Sequence, residues 1–407
     1  MNLFNSAIAS ITNQTRFAGN QTQGLLMSLL GGTATTKAGK NITPHSSLKI
    51  SAFWCGVNTI ANSIAMLPKH IYNKSNNSRK ALQDHPVDFL IHREPNSCMT
   101  AYNFWFSIAV CAKVRGKGFA KIIRNGAGAA TQLELLHPDE VTVLKKDGQL
   151  WYRIAGEKKL FFSDEIFHIT DFSWDGITGV GVIQYAADSM SISLAADTYG
   201  AEAFSDRGVS YGVLETDKDL GEKGEESIRK LFSTRMNSND KHKLAVFDEG
   251  MKYKRIALSP AEAQFIETKA TGVEDIARWL NIPLHKLHAK GEGGYNFLVQ
   301  MSIEYISSAV MPLAQRIKEE TERKLLTPEA KAKGDFVFIN YRKLLEADPK
   351  SRGEYYKMMY MVGAYNADEI REKEDESPRE DGKGNEYFHM GNMMSNAQLQ
   401  KDLENAE

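Results

Sequence analysis

The chain reads as an α+β protein, and three features predict that class. Five strand-length segments lie between residues 119 and 169, separated by turn signals. Amphipathic helical runs are gathered before and after that block. Two long helical segments, from Val182 to Phe204 and from Ser259 onward, flank a shorter mixed insert. At 407 residues the chain exceeds what one core usually serves, so two or more subdomains are expected.

Residues 1 to about 45 are rich in Ser, Thr, Asn, Gln and Gly and read as a flexible arm. A helix begins at Ser51, carries Val57, Ile60 and Ile64 on one stripe and stops at Pro68, where Ile71 and Tyr72 start a short strand. Met99 to Val114 is a second amphipathic helix, with Thr100 as its cap. Strands follow at 119–124, 132–136, 141–145, 149–154 and 165–169, punctuated by Asn125-Gly126 and Asp147-Gly148.

The helix from Val182 ends near Arg207-Gly208. The insert from Gly208 to Leu258 reads as strand, helix and two strands, with ten basic and nine acidic residues. A module so charged and so balanced suits protein partners better than phosphates. The second long helix opens with Ser259 as cap, Pro260 at its first position and Glu262 three residues after the cap, and Asn281-Ile-Pro283 stops it. Gly291-Glu-Gly-Gly294 then breaks the chain before a helix through Ile306, Val310, Leu313 and Ile317, which Pro312 should kink. Phe336 to Tyr341 is one more strand. Helices at 355–362 and 366–374 precede an acidic end, with twelve acidic and five basic residues from Asn366 onward.

Charge is balanced, 50 basic against 51 acidic residues, which argues against gripping nucleic acid along a basic face and is compatible with letting it slide past. Cys55, Cys98 and Cys111 form no CxxC pair and read as reduced core thiols. No basic segment followed by an apolar run marks a signal peptide, and the run from Phe104 to Ala112 falls far short of the ~20 residues a membrane helix needs. Synthesis in the cytosol is expected.

Catalytic patterns fail on context. Gly208-Val-Ser210-Tyr-Gly212 matches the GxSxG of serine hydrolases, but that elbow needs a strand before its Ser and a helix after it, and here the order is reversed. A hydrolase using Ser210 is the alternative reading. The Gly291 segment lacks a preceding strand and a following Gly-Lys-Ser/Thr, so it is no phosphate loop. His285 and His288 lack a third metal ligand. His137-Pro-Asp139 and His168 to Asp171 are placed at strand ends, where turn chemistry accounts for them. No cofactor site is expected.

Taken together, Ala52–Pro68, Glu94-Pro-Asn96 with Met99–Trp105, Leu136-His-Pro-Asp139, Gly176–Gly181, Leu258–Phe265, Ile276–Pro283, Val310-Met-Pro312 through Leu326, and Gly363–Glu372 with Asn392-Met393 resemble the large portal-protein family of tailed double-stranded DNA phages, of the lambdoid, long-tailed type. The match rests on their number and order, from about residue 50 to 394. The resemblance implies the portal fold and a ring of twelve subunits at one capsid vertex, through which double-stranded DNA enters and leaves without sequence specificity. It implies an α+β wing over residues 46–181, with the strand near Phe336. A stem would be formed by 182–207 and 259–283, and a clip by 208–258. A tunnel loop would cover 284–296, a tunnel and wing segment 297–347, and a crown with tail 348–407. Through the clip the family meets the terminase large subunit and the head–tail adaptor, so Arg235, Lys241 and Lys243 are candidate docking residues. Lys286, His288, Lys290, Gly291, Gly293 and Gly294 become candidate DNA-facing positions. Major capsid or scaffold protein is a further implied partner, and a membrane is not. The implied setting is the virion, after assembly in the host bacterial cytoplasm. In the family ATP hydrolysis belongs to the terminase, so no enzymatic activity is implied. Two features depart from the family: Pro283 is followed by Leu284 and His285 rather than a second proline, and the tunnel loop is unusually rich in glycine.

Overall fold

The computed structural model describes residues 34–36, 41–75, 78–82, 84–205, 212–215, 252–255, 261–288, 295–344, 349–374 and 376–388. Two compact units emerge, one from residues 1–54 and 183–279, the other from 55–182 and 280–407. In chain order, β1 (Ala34–Thr35), β2 (Asn41–Ile42) and α1 (Pro44–Ser47) precede α2 (Ser51–Met66), β3 (Lys69–Ser75), β4 (Ser78–Ala81), α3 (Pro86–His92) and α4 (Ala101–Arg115). Then come β5 (Lys117–Arg124), β6 (Ala130–Leu136), β7 (Val141–Lys146), β8 (Gln149–Ile154), β9 (Leu160–Phe162), β10 (Ile166–Thr170), β11 (Phe172–Ser173) and β12 (Gly179–Val180). The remainder is α5 (Val182–Ser205), β13 (Gly212–Glu215), β14 (Lys252–Arg255), α6 (Ala261–Leu280), α7 (Tyr295–Tyr305), α8 (Met311–Lys324), α9 (Pro328–Ala332), β15 (Asp335–Ile339), α10 (Pro349–Met361) and α11 (Ala367–Lys373). No helix among the described residues is long and apolar enough to cross a membrane.

The larger unit is built on three antiparallel sheets of three strands, ordered β10-β5-β6, β7-β8-β9 and β15-β3-β4. Phe119, Tyr152, Phe161 and Ile166 join the first two in one core. Helix α4 forms where the sequence places it. The Thr100 hydroxyl accepts from the Asn103 N–H, and Phe104, Trp105, Ile108, Ala109 and Ala112 face inward. Trp105 satisfies its indole N–H on the Ile91 carbonyl at 2.8 Å. The Glu94-Pro-Asn96 motif ties this helix to the sheet. The Asn96 amide donates to the Leu133 carbonyl, its oxygen accepts from the N–H groups of Cys98 and Met99, and the Leu133 N–H reaches the Pro95 carbonyl.

Gly179 and Gly181 of the Gly176–Gly181 motif have a steric cause, whereas Gly176 needs only its positive φ. Gly116 ends α4 in the left-handed region, and a Cβ there would lie 2.2 Å from the Val180 carbonyl carbon. A Cβ on Gly179 would in turn lie 1.9 Å from the Gly116 oxygen. Backbone meets backbone at this crossing, which only glycine permits.

In the smaller unit, α5 and α6 run antiparallel. The Ser189 hydroxyl donates to Asp275 at 3.3 Å, a Cβ on Gly272 would lie 2.6 Å from the Ser193 oxygen, and Lys269 pairs with Asp197 at 2.8 Å. Within the insert between them, β13 pairs with β14 from Gly212 opposite Arg255 to Glu215 opposite Lys252. The insert's expected helix and its strand at 244–248 lie outside the described residues, as does the Ser259 cap.

Several expectations need correction. Cys98 is exposed, not a core thiol, because the Asn96 turn holds it at the surface; all three cysteines are free. His168 is not a strand-end turn residue: it pairs with Phe119 in the middle of β10 and stacks on that ring, 4.4 Å away, half-buried. Between α7 and α8, just before Pro312, lies a π turn, Ile306–Val310, which the sequence did not announce. Helix α3 and strand β9 carry too few residues to leave a periodic signature.

Candidate functional site

The described part of the expected tunnel segment lies just beyond α6. Asn281, with φ of +55°, turns the chain out of that helix, a left-handed position that Asn tolerates. Pro283 precedes one 3-10 turn, Leu284–Leu287, and His288 ends it in the left-handed region with its N–H on the Leu284 and His285 carbonyls.

This turn is seated on α2. A Cβ on Gly56 would lie 2.4 Å from Leu280 Cδ1, 3.0 Å from Ile282 Cδ1 and 3.3 Å from Leu287 Cδ2, so the absence of a side chain lets three aliphatic residues close on the helix. Cys55 Sγ donates to the Lys286 carbonyl at 3.6 Å. Tyr305, buried at the end of α7, donates to the Thr59 carbonyl at 3.1 Å and bonds the Ser63 hydroxyl at 2.8 Å. Burial pushes its phenol up to about 12.

The sequence-designated residues divide. Lys286 places its ammonium 5.3 Å from the centre of the Tyr305 ring, and partial burial lowers its pKa. His288 is exposed. Burial, then the neighbouring Lys286 charge, lowers the pKa of His285, whose Nε2 is enclosed without a hydrogen-bond partner. Lys290, Gly291, Gly293 and Gly294 lie outside the described residues, as do Arg235, Lys241, Lys243 and Ser210.

A clamp at the π turn was not legible in the sequence. Pro312 lacks the N–H that would bond the Ser308 carbonyl four residues back. The Asn281 amide donates to that carbonyl instead, at 3.1 Å, while the Ser308 hydroxyl reaches the Asn281 carbonyl at 3.4 Å and the Glu304 carbonyl at 2.7 Å. The only available signals were a missing donor at Pro312 and an Asn at a helix end, 27 residues away.

Chemically this is a set of packing and hydrogen-bond anchors. Among the described residues no three His, Cys, Asp or Glu side chains converge as metal ligands. Helix α5 precedes Ser210 and β13 follows it, so the elements of a nucleophile elbow stand in reverse order.

The fold is a mixed one of helices and small antiparallel sheets, and these anchors pack its elements together. The sequence profile of the phage portal protein family matches residues 51–375. The probable portal protein of Streptomyces phage phiC31 is 28% identical over 375 residues, covering 87% of this chain and 80% of that protein. In fold, the chain resembles an HK97-family phage portal protein from Corynebacterium diphtheriae, with a TM-score of 0.55 at 15% identity over 78% of this chain and 99% of that one. It also resembles a chain in the neck of a native gene transfer agent particle computed with C12 symmetry, with a TM-score of 0.55 at 18% identity over 89% of this chain and 96% of that one. The chain belongs to the phage portal protein family. A portal protein is a structural component of the particle, a ring at one vertex of the capsid.

Proposed function

We propose that this chain conducts double-stranded DNA through that ring during packaging and ejection, and that it docks the terminase large subunit and the head–tail adaptor through its clip. The observation that carries the reading is the family match over residues 51–375. In this reading the chain divides into wing (46–181), stem (182–207 and 259–283), clip (208–258), tunnel loop (284–296), tunnel and wing segment (297–347) and crown (348–407). Arg235, Lys241 and Lys243 serve docking in this reading, and Lys286, His288, Lys290 and the glycines at 291, 293 and 294 face DNA. The antiparallel pair of α5 and α6, with the paired strands β13 and β14 in the insert between them, supports the stem and clip assignment. The balanced charge supports a conduit, since tight phosphate contacts would retard passage. Assembly in the host cytoplasm alongside capsid or scaffold protein belongs to the same proposal.

Electron microscopy of the purified protein, with native mass on the same sample, tests the reading. Rings of about twelve subunits around an open channel are expected, twelve being the count of C12 symmetry. A monomer that stays monomeric when coexpressed with its capsid and scaffold proteins would overturn it.

A further inference from the structure

A cavity of about 610 Å³ lies in the larger unit, between the β15-β3-β4 sheet, helix α8 and the C-terminal helices α10 and α11. That volume falls within the range of small-ligand sites, roughly 300–1,000 Å³. Its walls have an unusual chemistry. Tyr72 comes from β3, Tyr355 and Tyr356 from α10, and Tyr365 from the turn before α11. Three cations, Arg79, Lys318 and Lys373, share the lining, and no carboxylate does.

The cations are not consumed elsewhere in one strong ion pair. Lys318 lies 4.0 Å from Glu322, whose same oxygen also takes the Val337 N–H at 2.9 Å. Lys373 sits 5.0 Å from the centre of the Tyr365 ring, and the Arg79 guanidinium 6.0 Å from that of Phe336. Glu369, one turn before Lys373, is held by the Asn366 N–H and the Tyr387 hydroxyl. The rings are splayed rather than stacked on one another. Tyr355 meets Tyr365 edge-on at 6.4 Å, and Tyr72 meets Phe338 edge-on at 5.1 Å. A concave wall of tyrosine rings and three cations, with no carboxylate in the lining, matches a planar base joined to a phosphate.

We infer that this cavity binds a nucleoside phosphate group, its base against the tyrosine rings and its phosphate among Arg79, Lys318 and Lys373. This goes beyond the portal reading and does not depend on it. The group has two sources, a free nucleotide or a nucleotide unit of DNA.

The test titrates full-length assembled protein with a fluorescent nucleoside triphosphate and, separately, with a short DNA duplex. Saturable nucleotide binding is expected, weakened about tenfold or more by R79E with K373E and by Tyr356→Leu, with assembly unchanged. Duplex binding weakened by the same variants assigns the group to DNA; duplex binding untouched by them assigns it to the free nucleotide. Absence of saturable nucleotide binding, or binding that ignores every variant, overturns the inference. A polyglutamate peptide that displaces the nucleotide at equal concentration, with Tyr356→Leu without effect, also overturns it and makes the cavity an acidic-peptide site.

Discussion

The sheet-rich unit and the paired-helix unit solve the same problem in different ways. The first buries whole aromatic side chains: Phe53 aside, its largest fully enclosed residues are Trp105, Tyr152, Phe104, Phe119, Phe161 and Phe167. Among the described residues of the second, the contacts between α5 and α6 include a hydroxyl–carboxylate bond, a close glycine contact and an exposed ion pair. The buried residues of α5 include Ala186, Ala187, Met190, Ser191 and Ala196, with Ile183 the one branched aliphatic among those described, while Tyr185 and Ile192 are each 52% exposed. Burial of apolar area dominates stability, so the first unit carries its own core and the helix pair has much less to hold it.

The largest separation between the two should come from Trp105→Ala. Removing a fully buried indole and its bond to the Ile91 carbonyl costs roughly 3–5 kcal/mol. Denaturant unfolding should lose the sheet-unit transition at far lower concentration; an unchanged midpoint would mean that Trp105 is not part of that core.

A second contrast concerns pH. Burial, then the Lys324 charge, holds the His168 pKa down to about 3 from 6.5, while its Nδ1 meets the Tyr152 hydroxyl at 3.1 Å and its Nε2 lacks a partner. Between those values the unfolded chain binds a proton that the folded one does not, so stability falls as pH drops below 6.5. The expected loss by pH 4 is on the order of 3 kcal/mol. Thermal unfolding from pH 7 to 4 should show this steep dependence in the native chain and a flattened one in His168→Gln, whose own stability at pH 7 sets the baseline. Equal slopes would remove His168 from the account.

The smallest effect is expected in the helix pair. Lys269 and Asp197 are about half exposed, and an ion pair of that kind contributes roughly 0.2–1 kcal/mol. A double-mutant cycle with Lys269→Ala and Asp197→Ala should return a coupling in that range that vanishes in high salt. A coupling above ~2 kcal/mol would mean that the pair is desolvated and the contrast between the units weaker than drawn.

Local signals were well served by the sequence. Thr100 caps α4, Asn366 and Glu369 close a capping box on α11, Pro68 stops α2, and Asp147-Gly148 turns β7 into β8 with both residues at positive φ. Each is a choice made within a few residues, where propensity and turn chemistry act alone. Hidden features needed a distant partner. Strand β15 completes its sheet by pairing Phe336 with Tyr72, and nothing near either residue names the other. Lys69 looks like a surface residue but is buried, its ammonium on the Ile64 and Leu67 carbonyls at the end of α2 and its pKa drawn by burial to about 7. In the candidate site, Lys286 and His288 were designated from position in the sequence, whereas Gly56, Asn281 and Ser308 acquire meaning only once α2 and the π turn approach the same segment.

By itself, then, the order of amino acids determined the helices, the hairpins, the α+β class and, through the spacing of its motifs, the portal family. Those are set by short-range preferences and by residue identities that can be matched in line. Tertiary structure alone decided which glycines must remain glycine, which lysine is buried and which histidine is held neutral, and how the carbonyl orphaned by Pro312 is satisfied. Exclusion of water and backbone contact are properties of three-dimensional proximity, and residues 27 to 260 positions apart come together only when the chain has folded.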